Sequence, residues 1–192
     1  MNIQTLEIIK KYSVAQYSRS KDPLHDISHV ERVVKNAIKI VDALCLRNTL
    51  DLNLLIACCY LHDVVIVQQN NNNFFQRAKN HVFEPYLNKK FLPKILNQFD
   101  LSKDERSVIL RAIVNHPHSI PYRKLNKKGD WYTKILQDAD TWDYVSRERE
   151  IRAFEAGGIF IQPLLKIYFN CMRIAIKAFF NNPQLHKSLL GI

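Results

Sequence analysis

Between Leu54 and Val67 the chain reads LLIACCYLHDVVIV. An apolar helical run delivers His62 and Asp63 at its far end, and further apolar residues follow, so the pair is expected away from open solvent. A buried imidazole beside a buried carboxylate is costly unless each has a partner. A divalent metal ion satisfies both at once, because neutral imidazole and carboxylate are standard ligands. The stretch therefore constrains the fold twice: it must be enclosed, and other segments must bring further ligands to its His–Asp end.

Helices are what the remaining sequence offers for that enclosure. The chain has only 4 glycines and few runs of strict alternation, which favours an all-α protein over a sandwich or barrel. Residues 2–18 place Ile3, Leu6, Ile9, Val14 and Tyr17 near helical spacing. From Asp26 to Leu46 the apolar set Val30, Val33, Val34, Ala37, Ile38, Val41 and Leu44 predicts an amphipathic helix capped by Asp26 or Ser28. Asp51 is the expected cap of a central helix over 51–63. The polar tract QQNNNN after Val67 reads as a loop near the site rather than a linker, since neither side carries a self-sufficient core. A helix over 74–90 is ambiguous around Pro85. Ser102 to Glu105, SKDE, is a capping box that opens a helix running to His116, where Pro117 ends it. A basic loop with Arg123, Lys124, Lys127 and Lys128 leads to a helix over 130–145 and then to a last helix from Pro163 to Phe180. With 192 residues, the reading is a single domain over 1–192, its core about 22–145 and a helical extension over 146–192.

The four cysteines, Cys45, Cys58, Cys59 and Cys171, form no CxxC pair, and three of them lie in apolar helical patterns. Buried, reduced thiols in the cytosol are expected rather than a zinc-thiolate site or a disulfide scaffold. The opening MNIQTLEIIKKYS lacks a basic region followed by an apolar one, and no run of about 18 apolar residues exists. The expectation is a cytoplasmic protein with no membrane partner. The net charge of +10 suits a phosphate-bearing partner, but it also fits a Lys-rich surface whose lysines are scattered.

His29, the His62–Asp63 pair and Asp140 fall on three separate predicted helices, each beside an apolar patch. Any one of them alone has an ordinary explanation as a hydrogen-bonded or solvated residue; their joint presence in this order points to a metal site. Two nitrogens and two carboxylates suit a six-coordinate manganese, magnesium, iron or cobalt ion better than tetrahedral zinc. Four protein ligands leave positions open for water and a substrate oxygen, the arrangement needed for Lewis-acid chemistry on a phosphoryl group.

The segments DPLHDISHVERV (22–33), YLHDVV (60–65), AIVNHPHS (112–119) and ILQDADTWD (135–143) resemble the HD superfamily of metal-dependent phosphohydrolases, whose pattern is His, then His-Asp, then a distant Asp. The closest resemblance is to a bacterial subgroup that acts on nucleotides. It implies a single-domain, all-α HD-type helical bundle with His29, His62, Asp63 and Asp140 as metal ligands, and Asp138 as a supporting acceptor or helix-start residue. His116 matches a histidine that this subgroup carries after a helix. Its expected role is to contact a phosphate oxygen or protonate a leaving group; the ordinary alternative is a histidine satisfying a last-turn carbonyl. His118 is a weaker candidate. Relatives often carry a lysine in the loop after the His–Asp pair, where this chain reads VIVQQNNNNFF, and the stretch after Asp143 matches only loosely.

The leading expectation is hydrolysis of a phosphate ester or anhydride in a nucleotide. Asp63 both ligates and orients or deprotonates water, and His116 is the second catalytic residue. His25 and Arg32 are the expected substrate contacts on the face of His29, while His81 and His186 are expected at the surface. The rival is a non-catalytic module that binds nucleotide, or less favourably nucleic acid, on the same fold. A di-iron oxygenase is a third reading, which needs more ligands near His25. The apolar last helix can pack against a second copy of the chain as readily as against its own core, so a homodimer is an open expectation.

Overall fold

Short polar side chains start half of the ten described helices. Asn2, Asp26, Asp51, Ser102 and Asp130 each accept a first-turn backbone N–H, from Thr5, His29, Leu54, Glu105 and Thr133 respectively. Such a cap stabilises by about 1 kcal/mol. At Ser102 the bond is reciprocated by Glu105, completing the capping box. The computed structural model describes residues 1–20, 22, 24–69, 74–117, 129–157, 162–175, 178 and 180–182. Among these the regular elements are helical, with no strand.

In chain order the elements are α1 (Ile3–Tyr17), α2 (Ile27–Ala43), α3 (Leu52–Leu61), α4 (Val64–Val67), α5 (Phe74–Val82), α6 (Glu84–Leu96), α7 (Lys103–Asn115), α8 (Trp131–Tyr144), α9 (Arg147–Gly157) and α10 (Gln162–Ala175). The hub is α3, which packs on α1, α2, α7 and α8. Its residues Leu55, Ala57, Cys58, Cys59 and Leu61 are fully enclosed with Val33 and Ile40 of α2, Ile109 and Ile113 of α7, and Ile135 and Leu136 of α8. An element apolar on nearly all sides belongs at the centre of a bundle, because any exposed face would forfeit burial. A smaller cluster of Val145, Met172 and Phe180 seats the C-terminal segment against Trp142 and Tyr144.

Several boundaries differ from the sequence expectations for physical reasons. The central helix stops at Leu61 rather than running through Asp63, because His62 turns back and its Nδ1 takes the carbonyl of Cys59 at 2.7 Å. The stretch around Pro85 is two helices, with the proline at the start of the second, where its missing N–H costs nothing. A separate helix, α9, follows Asp143. Cys45 and Cys171 are exposed, so the expectation of burial fails for them while it holds for Cys58 and Cys59. Cys45 lies in a turn just past α2 with φ 55, outside the helical repeat that would have carried it inward. The basic loop residues Arg123, Lys124, Lys127 and Lys128, together with His118 and His186, lie outside the described residues. No helix among the described residues is long and apolar enough to cross a membrane.

Candidate metal centre

The end of α3, the first turn of α2 and the middle of α8 meet at one point. His29 Nε2 lies 3.1 Å from His62 Nε2, 3.4 Å from Asp63 Oδ2 and 3.5 Å from Asp140 Oδ1. His62 Nε2 is 3.1 Å from Asp63 Oδ2 and 4.0 Å from Asp140 Oδ1. His29, His62 and Asp63 are buried, and Asp140 is partly so. The side chains singled out from sequence as ligands are thus neighbours, although 111 positions separate His29 from Asp140 in the chain.

The outer face of each ring fixes what the inner face can do. His29 Nδ1 is held by Asp143 Oδ2 at 2.7 Å, His62 Nδ1 by the Cys59 carbonyl at 2.7 Å, His25 Nδ1 by Asp22 Oδ2 at 3.0 Å and His116 Nδ1 by the Ile113 carbonyl at 2.7 Å. Each partner is an acceptor, so in the neutral ring the proton sits on Nδ1 and the Nε2 lone pair is free. For His62 and His116 the acceptor is a last-turn carbonyl that the helix itself cannot satisfy. At His116 the ordinary role, a histidine satisfying a last-turn carbonyl, is met at Nδ1, and Nε2 on the opposite side of the ring faces Glu84.

Two Nε2 lone pairs and two carboxylate oxygens facing one another repel unless a proton or a cation lies among them. Without a metal the proton is the remedy. Burial works to lower His62, but Asp63 alongside overrides it and pushes the imidazole up to about 9. Burial would raise Asp63, yet the adjoining His62 and His25 hold it well below the usual carboxylate range. A divalent ion fits the same set. Ligand bonds of ~2.1 Å put neighbouring donor atoms ~3 Å apart and opposite ones ~4.2 Å apart around an octahedral ion, the range of the distances from the two histidines to each other and to both carboxylates; the donor atoms of His29, His62 and Asp63 form one group all within 4.8 Å of one another. Acceptors on the far ring nitrogens are the usual support for metal-bound histidine.

Two further groups border the first. Asp63, Glu84 and His116 bring donor atoms close enough to share an ion, as do Asp22, His25 and His81. Glu84 Oε1 is 3.6 Å from His116 Nε2 and has no hydrogen-bond partner among the described residues, and neither side-chain polar atom of Asn88, one turn further along α6, has one among them. Asp63 belongs to the first cluster and to the Glu84 group, and His25 Nε2 lies 3.6 Å from it.

Of the expected substrate contacts, His25 borders the cluster. Arg32 is engaged elsewhere: its Nε donates to Asp143 Oδ1 at 2.5 Å, its Nη2 to Asp143 Oδ2 at 3.3 Å and its Nη1 to Ser28 Oγ at 3.1 Å. Burial would raise Asp143, but His29 and Arg32 keep its carboxyl well below the ordinary range. Asp138 accepts from the backbone and side-chain amides of Asn181 and from Asn182. His81 is half-buried beside His25, with ring centroids 4.7 Å apart, rather than a surface residue.

Sequence reasoning missed Asp22, Glu84, Asp143 and Arg149. Asp22 precedes His25 by three positions and Asp143 follows Asp140 by three, a spacing that carries a signal. Glu84 and Arg149 reach the cluster only through tertiary packing and have none.

An all-α domain that gathers a histidine, a His–Asp pair and a distant aspartate from separate helices onto one cluster is an HD-type domain of the HD superfamily. The chain belongs within it to the HD-CE family, whose sequence model matches residues 11–164. The chain is also similar to a solved structure described as a predicted HD superfamily hydrolase from an uncultured Thermotogales bacterium. The two share 21% identity over 92% of this chain and 90% of that one, with a TM-score of 0.49. No curated protein gives a match.

Proposed function

We propose that the protein is a metal-dependent phosphohydrolase that cleaves a phosphate ester or anhydride in a nucleotide. The observation that carries this reading is the packing of four ligand atoms, from His29, His62, Asp63 and Asp140, within 4.0 Å of His62 Nε2 or His29 Nε2. These four residues would hold the ion. When bound, such an ion supplies Lewis acidity toward a phosphoryl oxygen and lowers the pKa of a water toward neutrality.

The chain's own residues divide the remaining work. Asp63 is a carboxylate held ionised at the centre of the cluster, placed to orient a water or take its proton. Asp143 fixes the His29 tautomer and is itself held by Arg32, so Arg32 acts through that carboxylate. His116 is anchored by Nδ1 on Ile113, so any proton it gives to a leaving oxygen moves at Nε2, which faces Glu84. The nucleotide assignment is supported by the resemblance of residues 22–33, 60–65, 112–119 and 135–143 to the nucleotide-hydrolysing HD subgroup.

The test is phosphate release by the purified full chain, with manganese, from a panel of nucleotides and phosphomonoesters, beside Asp63→Ala. Turnover of at least one substrate, lost in the variant, is expected. Equal rates in both proteins would remove the proposal. Tight nucleotide binding with no turnover at any metal concentration would favour the non-catalytic module.

A further inference from the structure

Arg149, in the first turn of α9, has a side chain that is 8% exposed, its guanidinium among His25, His29, Asp140 and Asp143. Buried guanidinium groups are ordinarily matched by carboxylates, which take two N–H donors at once. Here the match is missing. Among the described residues the one carboxylate within 4 Å of Arg149 is Asp143, and its Oδ2 stands 3.7 Å from Nη1, beyond hydrogen-bond distance. Asp143 is already taken up by His29 Nδ1 and by Nε and Nη2 of Arg32.

The nearest polar atoms to Arg149 are ring nitrogens. Nη1 lies 2.9 Å from His29 Nδ1 and 3.4 Å from His29 Nε2. An atom that close to both nitrogens of one imidazole sits over the ring rather than in line with either lone pair, and Nδ1 already gives its proton to Asp143. Nη2 approaches His25 Nε2 at 3.4 Å, and that nitrogen has a free lone pair because Asp22 holds Nδ1. Tyr144 covers the guanidinium, its ring centroid 5.6 Å from Cζ. Arg149 is therefore fixed by stacking and by a chain from Asp22 through His25, with guanidinium N–H donors that meet no oxygen among the described residues, at the rim of the four-residue cluster.

We propose that Arg149 is the phosphoryl-binding residue of this site, with the Asp22–His25 pair positioning it, and that the group bound is a terminal phosphoryl group. The inference rests on the reading of the cluster as the metal centre of a phosphohydrolase. A guanidinium fork binds two non-bridging oxygens in parallel. An ion on a third oxygen then requires three unesterified oxygens on one phosphorus, which a monoester or a terminal phosphate has and a diester lacks.

The test uses the full chain loaded with manganese and titrated calorimetrically with orthophosphate and with dimethyl phosphate. Wild type, Arg149→Ala and Arg149→Lys are compared, with metal content and far-UV circular dichroism measured on each. The expected result is that Arg149→Ala weakens orthophosphate binding by about ten- to a hundredfold, the loss of hydrogen bonds to a charged group, at unchanged metal content. The lysine variant recovers part of the loss, and dimethyl phosphate binds wild type at least about tenfold more weakly than orthophosphate does. A purely structural Arg149 would lower the melting temperature and leave the orthophosphate Kd of the folded, loaded variant where it was, which overturns the proposal. Should the alanine variant not fold, the lysine variant decides: it keeps the charge and loses the fork, and a Kd equal to wild type overturns the proposal. If wild type releases phosphate from the panel while the variants bind orthophosphate unchanged, this inference alone falls. If wild type neither binds orthophosphate nor turns over any substrate, the phosphohydrolase reading falls with it.

Discussion

Asp143→Asn tests whether the outer face of His29 governs its inner face. Asp143 presents two acceptor oxygens to three donors, His29 Nδ1–H at 2.7 Å and Arg32 Nε and Nη2 at 2.5 and 3.3 Å. Asparagine keeps the shape but supplies one acceptor and one donor. If its oxygen stays with Arg32, its amide meets His29 Nδ1 donor to donor, and the ring relieves this by moving its proton to Nε2. That proton blocks the lone pair a metal needs. Losing such an outer partner costs about 10–100-fold in metal affinity. Through mass action the metal-dependent stabilisation then shrinks by about 1.4–2.7 kcal/mol at saturating metal. For a chain of 192 residues this lowers the metal-induced gain in Tm by about 3–10 °C. Thermal unfolding followed by circular dichroism, with and without manganese, gives that difference for both proteins. A variant that shows the full wild-type gain, with equal bound manganese, would refute the reasoning.

Three further outcomes follow from the same geometry. Asp63 outweighs burial and raises His62 to about 9, so in metal-free protein the protonated ring contributes stability that is complete below the ordinary histidine pKa of about 6.5 and lost as pH rises toward 9. Metal displaces that proton, so manganese affinity should climb between about pH 7 and 9, and a pH-independent Kd would contradict this. Burial pushes Asp138 up to about 6 although Asn181 and Asn182 donate to it; a raised carboxyl holds its proton in the folded state, so its contribution falls as pH climbs from about 4 to 6. Asn181→Ala, which removes one of those donors, should raise the Asp138 midpoint further in a carbon-13 carboxyl titration. Ile113→Ala, at a fully buried position one turn before His116, should cost about 2–5 kcal/mol in urea unfolding with an unchanged m-value.

The fold was legible wherever local chemistry decides structure. Asp26, Asp51 and Ser102 cap the helices that their positions announce, and of the apolar set of α2, Val30, Val33, Ala37 and Val41 are buried. The convergence of His29, His62, Asp63 and Asp140 was legible as a pattern of residue types, although no local rule brings α2, α3 and α8 together. What escaped has tertiary causes. The apolar run through Val67 hides the break at His62, because the break comes from a side chain turning back onto Cys59 rather than from a glycine or proline. The stretch RERE opens α9 with charge rather than an apolar stripe; the helix is tied by ion pairs, Glu150 with Arg173 and Arg152 with Asp26, and further along by Phe154 against Phe169. Arg149 is buried on that helix, where charge alone would place it in solvent.

The central claim is that His29, His62, Asp63 and Asp140 share one cation. Anomalous diffraction at the manganese edge, from crystals of the full chain grown with that metal, addresses it directly. The account predicts a single strong peak within ~2.0–2.3 Å of a donor atom on each of the four residues. A peak bound without Asp140 or without either histidine, or no peak at the cluster at all, would contradict it.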